Sequence, residues 1–354
     1  MPDTIETLSG PKRVRDLGTV MPHDHLFVDT RNQYAPRDME GLDGEHGLVS
    51  YKNIGALRRN CYLMKDNLYL DDAGTAAYEV GCFMKAGGAT IVELTPIGVG
   101  RDPRRLAELS ASTGLNIVMG TGVYTDDAMP ADLRAMDAEG LAEFFVSELT
   151  EGVASDCPNG AKAPYKAGVI GEIGTSERIL PSEERSLRAA AIASKETGAP
   201  IYVHIYPWCT EGERALDIIG EHGVEPNRVC VCHVDVRFDR GYMLRLLRRG
   251  AYLGFDNFGK EFYIVRKPGE FAGGAFATDV ERVRAAMDMC ERGYAGRLLF
   301  STDIALKILL RSYGGWGYGH ILTNVVPIMA DMGMGDGDIK AIIHQNPMDF
   351  LTGR

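Results

Sequence analysis

From residue 80 onward, the chain alternates between short runs of apolar, often β-branched residues and longer stretches in which apolar residues recur every three or four positions. Short continuous apolar runs are typical of strands buried on both faces of a parallel sheet, and the longer periodic stretches are typical of amphipathic helices. The pattern predicts strands at 89–94, 116–120, 167–171, 200–204, 228–233, 251–255 and 298–303. It predicts helices at 103–113, 183–197, 212–222, 241–249 and 279–292.

A further apolar run leads into His23 and brings the number of predicted strands to eight. Eight strand-to-helix units favour an α/β fold of the (β/α)₈ TIM barrel type, with residues 1–354 forming a single domain, over a doubly wound sheet. No Gly-x-Gly-x-x-Gly follows the first strand, and the chain contains no Gly-x-x-x-x-Gly-Lys-Ser/Thr motif. The doubly wound alternative therefore lacks its usual nucleotide-binding signatures.

The composition narrows the classes of partner. The formal net charge of −11 argues against sequence-independent nucleic-acid binding and against docking on an anionic membrane. The N-terminus lacks the layout of a secretory signal and no apolar run is long enough to span a membrane, so we expect a cytoplasmic protein. The seven cysteines are an odd number at scattered spacings, which disfavours a disulfide framework. Cys230 and Cys232 lie in an apolar strand and are expected to be buried structural thiols rather than a metal pair.

The clearest candidate chemistry is a His-x-His sequence at the end of the first predicted strand. In an extended segment, the side chains of His23 and His25 point to the same face. Imidazole is the commonest metal ligand in proteins, so this pair predicts a two-pronged chelate.

Four other polar residues end predicted strands or follow them directly: Glu172, His204, His233 and Asp303. Equivalent ends of successive parallel strands converge at the mouth of one barrel. Four imidazoles and two carboxylates are too many ligands for one tetrahedral zinc ion, but they suit two ions that share a carboxylate bridge. We therefore predict that His23, His25, Glu172, His204, His233 and Asp303 bind two divalent ions.

Long loops at about 29–70 and 256–278 are expected on the active-site face of the barrel. Residues placed by their position at the mouth are Tyr124, Tyr206, Trp208, Arg237, the segment 256–260, Lys307 and Arg311. The cations among them would suit a small-molecule substrate with a carboxylate, sulfonate or phosphate group. The alternative is that they form ordinary surface ion pairs. The Gly- and aromatic-rich segment 311–320 is either a flexible turn that caps the barrel or a wall of the pocket.

Taken together, the motifs resemble those of the phosphotriesterase family of the amidohydrolase superfamily over nearly the whole chain. They are His-x-His at 23–25, Gly-Val-Gly-Arg-Asp-Pro at 98–103, Gly-Thr-Gly-Val-Tyr at 120–124, Gly-Glu-Ile-Gly at 171–174, the single histidines His204 and His233, Gly-Phe-Asp at 254–256, Ser-Thr-Asp at 301–303 and Asn-Pro at 346–347. The resemblance implies that His23, His25 and Asp303 bind the more buried ion, that His204 and His233 bind the exposed one, and that a hydroxide bridges the two. It also suggests a homodimer.

One position departs from the family pattern. The organophosphate-hydrolysing members carry a carboxylated lysine as the bridging ligand after strand four, whereas this chain has Glu172. A glutamate can still bridge two cations, but it is shorter. The difference disfavours efficient phosphotriester hydrolysis and favours the lactonase, esterase or amidase branches.

The leading hypothesis is a binuclear metal-dependent hydrolase in which the bridging hydroxide attacks the carbonyl of a lactone, carboxylic ester or amide, and Asp303 takes the proton. Imidazole-rich ligation suits zinc, and the two carboxylates leave manganese, cobalt or iron open. The alternatives are a phosphotriester or phosphodiester hydrolase and a barrel in which bound metal has no catalytic role.

Overall fold

The computed structural model describes residues 4–39, 41–153, 164–267, 270–271 and 273–353. Cys157 and small parts of the two long loops lie outside these residues. Within the described residues, no helix is both long enough and apolar enough to cross a membrane.

Eight parallel strands form the central sheet, as the hydrophobic pattern predicts. They pair in sequential order from β1 to β8. Their bounds are β1 Thr19–Asp24, β2 Gly88–Glu93, β3 Asn116–Thr121, β4 Val169–Gly174, β5 Ile201–His204, β6 Val229–Val231, β7 Tyr252–Phe255 and β8 Leu298–Phe300. Where β8 meets β1, the Ser301 hydroxyl donates to the carbonyl of His23 (2.5 Å), and the backbone N–H of Asp303 donates to the same carbonyl (3.2 Å). These bonds bring the first and last strands together, and the (β/α)₈ barrel is confirmed.

One long helix follows each of the first seven strands. These helices are α1 Ala73–Lys85, α2 Pro103–Thr113, α3 Ala138–Thr150, α4 Pro181–Thr197, α5 Gly212–Gly220, α6 Arg240–Arg249 and α7 Asp279–Glu291. Their ends follow local capping rules: the Asp102 carboxylate accepts from the backbone N–H of Arg105 at the start of α2, and Gly114 ends that helix with φ 79°. A capping box formed by Thr278 and Glu281 begins α7.

The remaining elements are short. Two helices, Ile54–Arg59 and Ala131–Arg134, lie in loops, and the chain after β8 contains Val326–Asp331, Asp336–Lys340 and Asn346–Thr352, with π-helical turns at Ile321–Val325 and Ala341–Gln345. Within the described ranges, three two-stranded pairs lie outside the barrel: Thr4–Thr7 with Gly10–Arg13, Val28–Asp29 with Tyr69–Leu70, and Tyr263–Ile264 with Gly274–Ala275. The last two pairs lie within the two long loops, which the ion pair between Arg37 and Glu270 joins to each other.

The structure contains two helices that were not predicted, and several elements begin or end one to three residues from their predicted bounds; two of the strand ends bear on the site. The pattern did not predict α1 or α3, both of which contain glycine, a residue that weakens a helix by about 1 kcal/mol relative to alanine. Strands β6 and β8 end before the predicted His233 and Asp303 because these two residues have φ values of 61° and 41°, outside the extended region.

Candidate metal centre

The His-x-His pair and Asp303 form one group of potential ligands at the carboxyl ends of β1 and β8. His25 Nε2 lies 3.0 Å from Asp303 Oδ1, and His23 Nε2 lies 3.7 Å from the same oxygen. Both histidines are buried, and the Asp303 side chain is 13% exposed. One atom from each of these residues therefore faces a common point.

A second group adjoins the first and is centred on the Glu172 carboxylate in β4. Its Oε1 lies 2.9 Å from His233 Nε2, 3.1 Å from His204 Nδ1 and 3.6 Å from His23 Nε2. The two histidine nitrogens of this group, His204 Nδ1 and His233 Nε2, are 2.9 Å apart. Because Glu172 Oε1 contacts residues of both groups, it is the atom in position to be shared between them.

The backbone bends sharply at two of these six residues. Among the described residues, His233 and Asp303 are the only non-glycine residues with positive φ. Such a conformation is uncommon, and it concentrates at functional sites where the surrounding contacts impose it. Here the Asp256 carboxylate accepts from the backbone N–H of His233 (3.0 Å), and the N–H of Asp303 is tied to β1. From these bent positions, His233 contacts Glu172 and Asp303 contacts His25.

A layer of hydrogen-bond acceptors below the centre fixes the histidine rings. Asp256 accepts from Nδ1 of His233 (2.8 Å) and from Nδ1 of His23 (3.1 Å), so the Nε2 atoms of both rings face the centre. His25 Nδ1 lies 2.9 Å from the Thr95 hydroxyl, which in turn donates to Glu93. Such partners orient metal-binding imidazoles and set their tautomers.

The carboxylates of the centre are held in the ionised form. Burial alone would raise the pKa of Glu172, but the charges of His204 and His23 and hydrogen bonds from His204 and His233 hold that pKa well below its ordinary value. Burial likewise opposes ionisation of Asp303, and the nearby Lys260 cation, followed by the hydrogen bond from His25, keeps its pKa far below the ordinary value. Both carboxylates are therefore available as anionic ligands at neutral pH.

The histidine pair above Glu172 is electrostatically asymmetric. Burial lowers the pKa of His204 despite the neighbouring Glu172. For His233, burial also acts to lower the pKa, but the charge and hydrogen bond of Asp256 outweigh it and raise the pKa well above its ordinary value. A proton on His233 competes with a metal ion for Nε2, so binding of a cation there would release a proton.

The donor set fits divalent metal ions. The potential ligand atoms of His23, Glu172 and His233 lie within 4.8 Å of one another, and so do those of His23, His25 and Asp303. Within the described part of the chain, His23 Nε2 is a buried nitrogen without a hydrogen-bond partner. An orphaned buried nitrogen is costly in a folded protein, and a cation at this point would satisfy it.

A third set of neighbouring groups is less suited to a metal. It combines His23 and Asp256, which already bond to each other, with Cys232. Burial raises the pKa of the Cys232 thiol well above its ordinary value, which disfavours the thiolate that a metal would need. The sulfur atoms of Cys230 and Cys232 are 4.0 Å apart within the barrel core.

The centre lies at the base of a cleft that is open to solvent. Its walls are rich in aromatic residues from several loops: Tyr62, Tyr124, Trp208, Phe262, Phe271 and Phe276. Among the described residues, Lys260 is the one lysine or arginine that lines this cleft. The aromatic walls favour an apolar group, and the polar groups that converge at the base are those typical of a small-molecule site.

Some of the residues predicted at the mouth do lie at the cleft. Tyr124 and Trp208 line it, and the Tyr124 hydroxyl lies 3.3 Å from His204 Nδ1. Tyr206 is buried behind the wall, with its ring centroid 5.5 Å from that of Trp208 and 6.3 Å from that of Phe271.

The other predicted cations lie elsewhere. Lys307 forms an ion pair with Asp66 (2.6 Å) and lines a separate, smaller cavity. Arg237 is exposed, with Nη1 3.5 Å from the carbonyl of Trp208, and Arg311 is exposed as well. The contact of Lys307 is therefore an ion pair, which was the alternative to substrate binding. The segment 311–320 does not contribute to the cleft wall among the described residues, although the buried Tyr318 hydroxyl donates to the carbonyl of His25 (2.6 Å).

Three contributions to the site were not assigned from the sequence. Asp256 was expected at the mouth but lies beneath two histidines, and Thr95 supports a third. Lys260 was expected at the rim but reaches inward to contact Asp303. The sequence signal for Asp256 was its position directly after β7, where the side chain can lie under the ligands of neighbouring strands. For Thr95 and Lys260 we find no comparable signal.

The position of Asp256 leads to a prediction about metal affinity. An Asp256→Asn protein is expected to bind divalent metal about 10- to 100-fold more weakly, because the amide can no longer accept from the Nδ1 atoms of both His23 and His233. Competition with a chromophoric chelator measures the change. An Asp288→Asn protein, altered in a surface ion pair on α7, is the matched control. Unchanged affinity in Asp256→Asn would contradict the orienting role.

Comparison with known proteins gives a consistent assignment over the whole chain. The model of the phosphotriesterase family matches residues 3–351. The chain is 32% identical to an N-acetyltaurine hydrolase from Rattus norvegicus over 352 residues, which cover 98% of this chain and 97% of that protein.

Two solved structures extend the comparison to the fold. A resiniferatoxin-binding protein from Rhodobacter sphaeroides superposes with a TM-score of 0.91 at 32% identity, covering 99% of this chain and 95% of that one. A phosphotriesterase homology protein from Escherichia coli, solved with phosphate in its active site, gives a TM-score of 0.75 at 28% identity and covers 95% of this chain and 99% of that one.

Proposed function

The chain belongs to the phosphotriesterase family and is a hydrolytic enzyme, and on that premise we propose that it is a binuclear metal-dependent hydrolase of carboxylic amides, esters or lactones. The observation that carries the proposal is the position of Glu172 Oε1, which lies within 3.6 Å of ligand atoms from both groups. A carboxylate between two such groups of ligands suits two neighbouring cations, because its negative charge can be shared between them.

In this proposal, His23, His25 and Asp303 hold one ion, His204 and His233 hold the other, and Glu172 is common to both. When bound, two such cations make a water molecule acidic enough to ionise near neutral pH and act as Lewis acids towards the scissile carbonyl. Zinc suits the four imidazoles, and manganese, cobalt and iron suit the carboxylates.

The residues of the chain have distinct tasks around the reacting atoms. Asp303 turns Oδ1 towards His25 and Oδ2 away from it, towards Lys260. Oδ2 is therefore placed to accept the proton of the attacking water as the new C–O bond forms, and to pass it to the leaving nitrogen or oxygen as the scissile bond from the carbonyl carbon to that atom breaks. Tyr124, whose hydroxyl lies beside His204, and Trp208 are the proposed substrate contacts within the cleft.

We favour amides among the possible substrates. Several relatives at 31–33% identity are named N-acetyltaurine hydrolases, and their substrate carries an amide and a sulfonate. The base of the described cleft is formed by the polar side chains of the candidate metal centre, beneath aromatic walls. An N-acyl compound with a compact acyl group therefore fits the polar base of the cleft. The phosphoester alternative has one supporting observation, the phosphate in the active site of the Escherichia coli relative.

The remaining features follow from the family resemblance. We propose that residues 1–354 form one hydrolase domain and that the protein assembles as a homodimer. Arg237, Tyr206 and Lys307 do not line the cleft, so their proposed part in substrate binding would need to come through their neighbours or a rearranged loop.

Metal removal tests the proposed function. The protein is assayed against N-acetyltaurine, other N-acyl amino acids, lactones, carboxylic esters and a phosphotriester before and after dialysis against a chelator. We expect kcat/KM for the best substrate to fall at least about a hundredfold on metal removal, because the transition state loses several kcal/mol of charge stabilisation and the barrier rises. Zinc, manganese or cobalt should restore it.

The outcomes of this experiment separate the alternatives. Highest kcat/KM on the phosphotriester would favour the phosphoester hydrolase. A protein that retains full activity after its metal has been removed would contradict the metal-dependent mechanism. A protein that binds metal tightly, melts at a lower temperature without it and hydrolyses nothing in the panel would favour the non-catalytic barrel.

A further inference from the structure

A lysine side chain enters the centre that the ligand geometry assigns to two metal cations. Lys260 follows β7, is 7% exposed, and its Nζ contacts Asp303 Oδ2. A buried cation beside the proposed metal ligands is unfavourable for binding further positive charge, because like charges repel strongly in a poorly solvated site. Lys260 therefore weakens metal binding unless it also stabilises or orients a group of the centre.

The backbone that carries Lys260 is held in place by a buried arginine. The guanidinium of Arg282, which is fully buried in α7, donates to the Lys260 carbonyl (3.0 Å), to Asp235 (2.9 Å) and to Asp279 (3.0 Å). The Asp279 carboxylate also accepts from the backbone N–H of Gly259 (2.8 Å). Lys260 thus begins from a fixed turn rather than from a free loop.

The other side of this turn is bonded to the centre itself. Asn257 donates from its backbone N–H to Asp235 (3.0 Å) and from its side-chain amide to Asp256 (2.8 Å), the carboxylate that orients His23 and His233. The same framework therefore fixes Lys260 and the histidine rings relative to each other.

The contact between Lys260 and Asp303 gives the two carboxylate oxygens of Asp303 different partners. Oδ1 faces the Nε2 atoms of His25 and His23, at 3.0 and 3.7 Å, whereas Oδ2 contacts Lys260 and lies 3.9 Å from Nδ1 of His233. A carboxylate oxygen can accept more than one hydrogen bond, so Oδ2 can bond to Lys260 and still accept another proton donor. The anchor on Oδ2 opposes a rotation of the carboxylate plane that would present both oxygens to one cation.

We propose that Lys260 is a positioning residue that anchors Asp303 Oδ2, so that Asp303 offers only Oδ1 to the metal site and keeps Oδ2 oriented for proton transfer. The proposal rests on the proposed function for its catalytic consequence. Its structural consequence does not rest on the proposed function. Lys260 balances the charge of Asp303 in the metal-free protein, and a metal ion takes over that balance when it binds.

The test compares Lys260→Met with wild type in metal-free and metal-loaded forms. Removing one partner of a buried ion pair is strongly destabilising, so we expect the melting temperature of the metal-free variant to fall by roughly 5 °C. The metal-loaded variant should change by less than about 2 °C, because the cation neutralises Asp303. The stabilisation that metal confers should thus be larger in Lys260→Met than in wild type.

Activity provides the second readout. In Lys260→Met, kcat should fall about 10- to 100-fold while KM changes less than about threefold, because the side chain acts on Asp303 rather than on the substrate. Lys260→Arg, which keeps the cation, should recover part of kcat. Lys65→Met removes a lysine from an exposed ion pair with Glu45 and should leave both readouts unchanged.

The outcomes separate a positioning role of Lys260 from a purely structural role and from substrate binding. Equal loss of melting temperature in the metal-free and metal-loaded forms would mean a purely structural lysine and would overturn the proposal. A raised KM with unchanged kcat would also overturn it, since Lys260 would then bind substrate. If the wild type hydrolyses nothing, the proposed function fails, whereas the two melting temperatures still decide the role of Lys260.

Discussion

A Glu172→Gln protein is expected to contain one metal ion per chain or none, where the wild type contains two, and to lose about a thousandfold in kcat/KM. Glu172 Oε1 is the atom that lies close to both ligand groups, and a neutral amide cannot share negative charge between two cations. Loss of one ion removes several kcal/mol of charge stabilisation from the reaction, and roughly 4 kcal/mol corresponds to a thousandfold change in rate.

Elemental analysis of protein purified without added metal, alongside steady-state kinetics, measures both effects. Glutamine keeps the volume of the buried side chain, so that a loss of metal does not merely reflect a cavity. The matched control is Glu177→Gln, because Glu177 is an exposed carboxylate paired with Arg266 outside the cleft. Two ions per chain in the Glu172→Gln protein would mean that another group bridges them. One ion in the wild type after reconstitution would require a mononuclear mechanism.

The sequence was informative about this centre because the ligands depend on strand order. His204 and Glu172 lie in β5 and β4, and parallel strands in sequential order bring such positions to the same end of the barrel. The apolar runs therefore predicted the fold and placed the six residues at or just beyond the strand ends on one side of the barrel. Neither conclusion required knowledge of any loop conformation.

Residues beyond the strand ends could not be predicted in the same way, because their direction depends on backbone turns. Asp303 and His233 have positive φ, which a strand pattern does not indicate. The inward reach of Lys260 depends on contacts of its turn with Arg282, which is distant in sequence. Lys307, by contrast, was expected at the mouth but pairs with Asp66 from the first long loop. Position along the chain placed these cations after the right strands, but it did not determine which way they point.

An Asp303→Asn protein is expected to keep most of its metal and to lose about 10²- to 10⁴-fold in kcat, the range typical of losing a positioned general base. The asparagine amide still offers an oxygen towards His23 and His25, where Asp303 Oδ1 now lies, but it has no carboxylate oxygen that can take a proton at neutral pH. Metal analysis and kcat measured on the same preparation separate the two effects, and Asp288→Asn again controls for a surface carboxylate.

Full activity of the Asp303→Asn protein with bound metal would remove Asp303 from proton transfer. Loss of metal and activity together would make Asp303 chiefly a ligand, as its Oδ1 contact with His25 indicates, and would leave its role in proton transfer without support.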